Sequence, residues 1–148
     1  MKRLFFATIV LLLVLSACAS QPAVTPTDEA TLRVGDGTTE KTYTIEDLQA
    51  FPQEESTFNE VTYIGVSLTA LLENAGFTPD NLKAVKVIAS DGYSVNYDSN
   101  QYMGDGIIVA YAQADGTMSA EDGNFRMVLP KEENKLNLRM LVEIMAIP

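Results

Sequence analysis

Apolar residues recur along this chain at two spacings, and the spacings divide it into short strands and shorter helices. Ala84-Val85-Lys86-Val87-Ile88-Ala89 and Tyr93-Ser94-Val95-Asn96-Tyr97 alternate on either side of Asp91-Gly92. Alternation puts every second side chain on one face of a strand, so Val85, Val87 and Ala89 share a face, as do Tyr93, Val95 and Tyr97. An Asp-Gly pair between two such runs predicts a β-hairpin. Its expected turn is type I′, which needs positive φ at both central residues.

The same reading predicts strands at Thr31–Val34 and Lys41–Thr44 around the turn Asp36-Gly37, and at Glu54–Phe58. The unbroken apolar run Ile107–Ala112 suits a central strand covered on both faces. Phe125–Leu129 reads as a strand ended by Pro130, and Leu141–Ile147 as a last strand with Glu143 its one charged residue. Asp115-Gly116 and Asp122-Gly123 read as turns, and the stretch between the hairpin and Ile107 as a polar link.

Helical spacing is found twice. Tyr63–Gly76 holds the clearest helix, capped by Ser67, with Leu68, Leu71, Leu72 and Ala75 at i, i+3, i+4 and i+7 and Gly76 at the C′ position. That stripe reads as core packing. Thr44 reads as the N-cap of a helix over Ile45–Phe51, with Asp47 as its capping-box partner and Pro52 as its stop. About seven short strands with two or three short helices predict an α+β fold, mostly β, with mixed sheets.

The amino terminus changes the picture. Met1-Lys2-Arg3 precedes an apolar run from Leu4 to Leu15, the pattern of a secretory leader and too short for a spanning helix, which needs about 20 residues. Leu15-Ser16-Ala17-Cys18 resembles the lipobox of bacterial lipoproteins. The resemblance implies cleavage before Cys18, lipidation of its thiol, and an extracytoplasmic protein held on the outer membrane or the outer face of the plasma membrane. Two or more acyl chains anchor stably, at about 0.8 kcal/mol per buried CH₂. Residues 1–17 are then the signal peptide. Residues 18–29 are a lipidated cysteine and a Pro-containing flexible tether, and residues 30–148 the folded domain.

Charge and missing residue types narrow the chemistry. The net charge of −10 becomes −12 once Lys2 and Arg3 are removed, which disfavours nucleic acid as a partner. The chain has no His and no Trp, and Cys18 is its only cysteine. Imidazole and free thiolate are therefore absent as metal ligands, nucleophiles or bases. Asn96, Asp98 and Asn100 open with the spacing of a calcium loop, but Gln101 and Ile107 replace the glycine and the bidentate glutamate that such a loop needs.

Several segments, in order, resemble the molybdopterin-binding domain of the sulfite oxidase family in its short stand-alone form. Gly65-Val66-Ser67-Leu68-Thr69-Ala70-Leu71-Leu72 is similar to that family's "G-V-x-L-x-x-L-L" helix start, and Ala89-Ser90-Asp91-Gly92-Tyr93-Ser94 to its "A-x-D-G-Y-S" hairpin. Ile107–Tyr111 resembles its "I-L-A-Y" strand. Asp122–Pro130 resembles "G-G-P-L-R-L-V-V-P", and Leu138–Ile144 resembles "V-K-W-L-x-x-I". Asn124 stands where the family often has Pro, Arg139 where it has Lys, and Met140 where it has Trp.

The resemblance implies a sulfite-oxidase-like molybdopterin-binding fold, and it also implies a missing ligand. The family's molybdenum-ligating cysteine falls between the first helix and the "G-V-x-L" helix, where this chain reads Glu54-Glu55-Ser56-Thr57-Phe58-Asn59. A neutral hydroxyl does not replace a thiolate without changing the metal chemistry. The expectation is a binding module, not an enzyme, taking a pterin-like heterocycle without molybdenum, or an envelope partner protein. Two alternatives stand beside it: a molybdopterin-dependent oxidoreductase with unusual metal ligation, and a structural lipoprotein with a filled pocket.

Five residues are the candidate ligand site. Asp91 suits the paired donors of a pterin ring, Tyr93 and Tyr97 suit stacking on it, and Arg126 and Arg139 suit an anionic group. Each also has a plainer reading. Asp91 serves as a turn residue and Tyr93 as cross-strand packing, while the arginines in so acidic a chain pair with neighbouring acids. Lys131–Lys135 reads as a solvated charged loop.

Overall fold

The computed structural model describes residues 29–148; the expected signal peptide, Cys18 and the expected tether up to residue 28 lie outside the described residues. The chain opens with β1 (Thr31–Gly35), β2 (Glu40–Thr44), α1 (Ile45–Gln49), β3 (Glu54–Phe58), β4 (Val61–Ser67) and α2 (Leu68–Asn74). It continues through β5 (Ala84–Ala89), β6 (Ser94–Tyr97), α3 (Ser99–Tyr102), β7 (Ile108–Gln113) and β8 (Gly116–Thr117). β9 (Arg126–Val128) and β10 (Leu141–Ile147) complete it, with 3₁₀ turns at Pro79–Asn81 and Asn134–Leu136.

The strands form two sheets. One runs β2-β1-β10-β5-β6 and is mixed, because β1 and β10 are parallel while its other pairs are antiparallel. The other runs β3-β4-β7-β8, with β9 also paired to β7. Ten strands and three short α-helices among the described residues make an α+β fold that is mostly β.

Local chemistry explains most boundaries. Asp36 Oδ1 accepts from the backbone N–H groups of Thr38 (2.8 Å) and Thr39 (2.7 Å), which closes the β1–β2 turn. Thr44 and Asp47 form the reciprocal capping box at the start of α1, and the helix ends two residues short of Phe51, ahead of Pro52. Ser67 caps α2 through Ala70 N–H, and Gly76 has φ +95°.

Three expectations are corrected. Tyr63–Val66 is strand: α2 starts only after Ser67, because β4 is held between β3 and β7. The approach at Gly65 is so close that a Cβ there would lie 2.1 Å from Val109 O. The polar link after the hairpin contains α3, capped by Asp98 and Gln101 and anchored by the buried Tyr102, whose hydroxyl donates to Pro79 O (2.8 Å) and Leu82 O (3.0 Å). The hairpin turn has positive φ at Gly92 and not at Asp91, so it is not type I′. Gly92 N–H donates to Ala89 O (3.0 Å), which shifts the turn back by one residue onto Ser90-Asp91.

The main core draws on both sheets and on α1 and α2, with Leu32, Val34, Leu48, Leu71, Val87, Val109 and Ile144 all fully buried. A second cluster of Phe58, Tyr63, Ile108, Ala110 and Val128 packs separately from it. β7 therefore divides its side chains between two apolar layers, as an unbroken apolar run requires. Among the described residues no helix is long and apolar enough to cross a membrane.

Candidate functional site

The hairpin turn is tied down by its own side chain. Asp91 Oδ1 accepts from Tyr93 N–H at 2.9 Å, an Asx arrangement that uses one of the two carboxylate oxygens. Ser90 N–H donates to Met140 O at 2.9 Å, so the turn is stitched to the segment that leads into β10. A register shift between Leu141 and Glu143 marks the bulge where that segment enters the sheet.

Between these parts lies an open groove of about 830 Å³. Ala89, Asp91 and Tyr93 line it from the hairpin, Asn134 and Lys135 from the 3₁₀ turn, and Leu138, Arg139 and Met140 from the approach to β10. Tyr93 is 52% exposed, and its hydroxyl reaches Lys135 O at 3.4 Å.

The charges around the groove are mixed and exposed. Arg139 meets Glu121, also on the groove, at 3.2 Å, and both side chains are exposed. Lys135 meets Glu133 at 2.9 Å; the hydrogen bond and the opposite charge raise the lysine pKa and lower the glutamate's. Exposed pairs of this kind contribute little and can be exchanged for a ligand at small cost.

The structure brings Asp91, Tyr93 and Arg139 together on this groove and places Tyr97 and Arg126 elsewhere. Tyr97 is fully buried, so its ring has no face for a ligand; its hydroxyl donates to Leu136 O and braces the 3₁₀ turn from within. Burial raises its pKa.

Arg126 is 4% exposed and wholly occupied inside the fold. Its Nη1 donates to Asp122 Oδ1 at 2.6 Å and to the Tyr63 hydroxyl at 2.7 Å, and its guanidinium lies 4.5 Å from the Tyr63 ring centroid. Asp122 Oδ2 accepts from Ser119 (2.9 Å), Gln113 (3.2 Å) and Tyr63 (3.2 Å). An arginine so fully paired does not serve an external anion.

Sequence reasoning missed three residues that shape this region. Asp122 read as a turn residue, although its i,i+4 spacing to Arg126 was visible. Asn137 is buried; its side chain bonds both Leu129 N–H and Leu129 O and reaches Glu133 O, folding the charged Lys131–Lys135 loop around it. Met140, 39% exposed on the groove, was marked in the sequence only as a departure from the family's Trp and not as a site residue.

The metal half of a molybdenum–pterin cofactor does not fit the residues present. Ser56, the buried hydroxyl in the cysteine-free segment, donates to Gly106 O at 2.7 Å, and the Thr57 hydroxyl shares a bond with Thr62 at 2.9 Å. Among the described residues no three acidic side chains converge in the manner of a metal site. The groove offers a free carboxylate oxygen on Asp91, the exposed Tyr93 ring and two exposed cations, Lys135 and Arg139.

No protein-family model and no curated protein matches this sequence. Among solved structures, the chain is similar to the sulfane dehydrogenase SoxCD from Paracoccus pantotrophus, with a TM-score of 0.68 and 17% sequence identity. The similarity covers 80% of this chain and 38% of that one, so the chain spans well under half of the enzyme's length. At that identity the likeness is one of fold alone, an α+β architecture that is mostly β with mixed sheets, as the sequence patterns predict.

Proposed function

We propose that this chain is an extracytoplasmic, lipid-anchored binding module that holds a flat, pterin-like heterocycle in the groove beside the hairpin turn. It does so without redox chemistry at a metal. The observation that carries the reading is the placement of Asp91, Tyr93 and Arg139 along one open groove. Asp91 would accept from the ring's amino and N–H groups, Tyr93 would cover a ring face, and Arg139 would meet an anionic substituent after leaving Glu121. The openness of the groove favours this over a purely structural lipoprotein with a filled pocket.

The test is direct. Thermal unfolding of the domain is followed with oxidised and reduced pterins, beside native mass spectrometry of the lipidated protein as purified. A ligand at 100 times its Kd adds about 2.7 kcal/mol to stability, which is several degrees for a domain of this size. Unchanged melting with every pterin, and no small molecule retained, would remove the ligand from the reading.

A further inference from the structure

Met140 has φ +51°, in the left-handed region that residues with a Cβ avoid. Among the described residues only Asn59 and Glu60 share this without being glycine, and they form the tight connection between β3 and β4. Met140 is in no such turn.

Its backbone is fixed from three sides. Its N–H donates to Asp122 O at 2.7 Å, its carbonyl accepts from Ser90 N–H, and Gly123 is so near that a Cβ there would lie 2.9 Å from Met140 Cα. Asp122 is itself clamped by Arg126. Backbone strain of this kind persists only where the surroundings over-determine it, and it clusters where proteins hold ligands.

The side chain does not repay the strain by deep burial. Three large apolar side chains stand out as exposed among the described residues: Tyr93, Met103 and Met140. Two of them, Tyr93 and Met140, line the same groove. Glycine or asparagine would take this backbone more easily, yet the position carries a polarisable thioether of the kind that contacts aromatic rings favourably.

We infer that Met140 is a ligand-contacting residue, and that its thioether and the Tyr93 ring are the two apolar surfaces between which the groove takes its ligand. This rests on the proposed binding function and narrows it. The ligand is a flat ring with a polarisable face, not a saturated polar molecule or a bare anion.

The test compares wild type with Met140→Gly, Met140→Asn and Met140→Leu, measuring pterin affinity by calorimetry and Tm in the absence of ligand. Glycine and asparagine accept the left-handed backbone, so Tm is expected to stay level or rise. Pterin affinity is expected to fall about tenfold or more in both. Leucine keeps an apolar surface of similar volume and is expected to bind within about threefold of wild type. Unchanged affinity in the glycine and asparagine variants overturns the inference while leaving the binding function standing. Loss of affinity in step with a lower Tm also overturns it, by making Met140 structural. A wild-type protein that binds no pterin overturns the binding function itself, and this inference with it.

Discussion

Arg126 and Asp122 face each other at 2.6 Å with both side chains almost wholly buried, and the Asp122 backbone carbonyl also holds the Met140 N–H on the groove. The ion pair is thus joined to the groove by a single residue. Removing one partner from a buried pair leaves an uncompensated charge, which costs roughly 3–5 kcal/mol. Arg126→Ala should therefore lose stability on that order in urea unfolding. A loss below about 1 kcal/mol would mean that water reaches the pair freely.

Gly65 should tolerate no side chain. With a Cβ only 2.1 Å from Val109 O, Gly65→Ala must push β4 from β7, costing at or above the upper end of the ~1–3 kcal/mol range for overpacking. The check is the midpoint of chemical denaturation. An alanine variant as stable as wild type would show that the sheet can open there.

Asp91→Asn should keep the turn, because the amide oxygen can still accept from Tyr93 N–H, while losing the negative charge offered to a ring's donors. Pterin affinity is expected to fall about tenfold with Tm nearly unchanged. Equal binding by the two proteins would move the ligand's donor edge away from Asp91.

Stability should fall at both ends of the pH scale. Backbone N–H groups of Thr39 and Thr38 hold the Asp36 carboxyl below its ordinary 3.8, and the backbone N–H and hydroxyl of Thr44 lower the Asp47 carboxyl in the same way. A lowered folded-state pKa contributes stability above the unfolded value, lost as pH falls through the folded one, so Asp47→Asn should blunt the acid sensitivity. Burial raises the pKa of Tyr43 from 10.0 to about 12, and raises those of Tyr63, Tyr97, Tyr102 and Tyr111. Their contribution is complete below pH 10.0 and is lost as pH climbs through the folded values. Ionisation of these five buried tyrosines and loss of the native circular dichroism should then go together in alkali; ionisation of these five in a fully folded protein would contradict this.

Cys18→Ser should move the protein from the membrane to the soluble fraction without altering the fold of residues 30–148. Fractionation of cells making each form is sufficient. Continued membrane association of the serine variant would point to another anchor.

What the sequence reveals and what it conceals follow from the range of the forces involved. The hairpin, α2 and its caps, and β7 were legible because alternation, helical spacing and cap chemistry are local. The turn type was not, because Asp91-Gly92 is compatible with two placements and the stitch from Ser90 to Met140 selects between them. α3 escaped because its four residues include only one apolar anchor, Tyr102. Tyr97 and Tyr93 share a face by alternation, yet Tyr97 lies within the sheet and Tyr93 beyond its last ladder pair, at the turn. The "G-V-x-L" glycine was recognised as a motif, and its meaning emerged only once Val109 was found against it.

The position of β10 between β1 and β5 bears on how the molecule is made. Its parallel partner β1 comes from the opposite end of the described chain, with Val34 facing Ile144. Until residues 141–147 are present, that sheet is two separate hairpins with unpaired inner edges, and the groove has no floor segment at Met140. Completion of that sheet therefore waits for residues 141–147, and pairings of such long sequence separation are slow to close. A sheet that stays open until β10 arrives leaves the inner edges of both hairpins free to pair with other strands in the meantime.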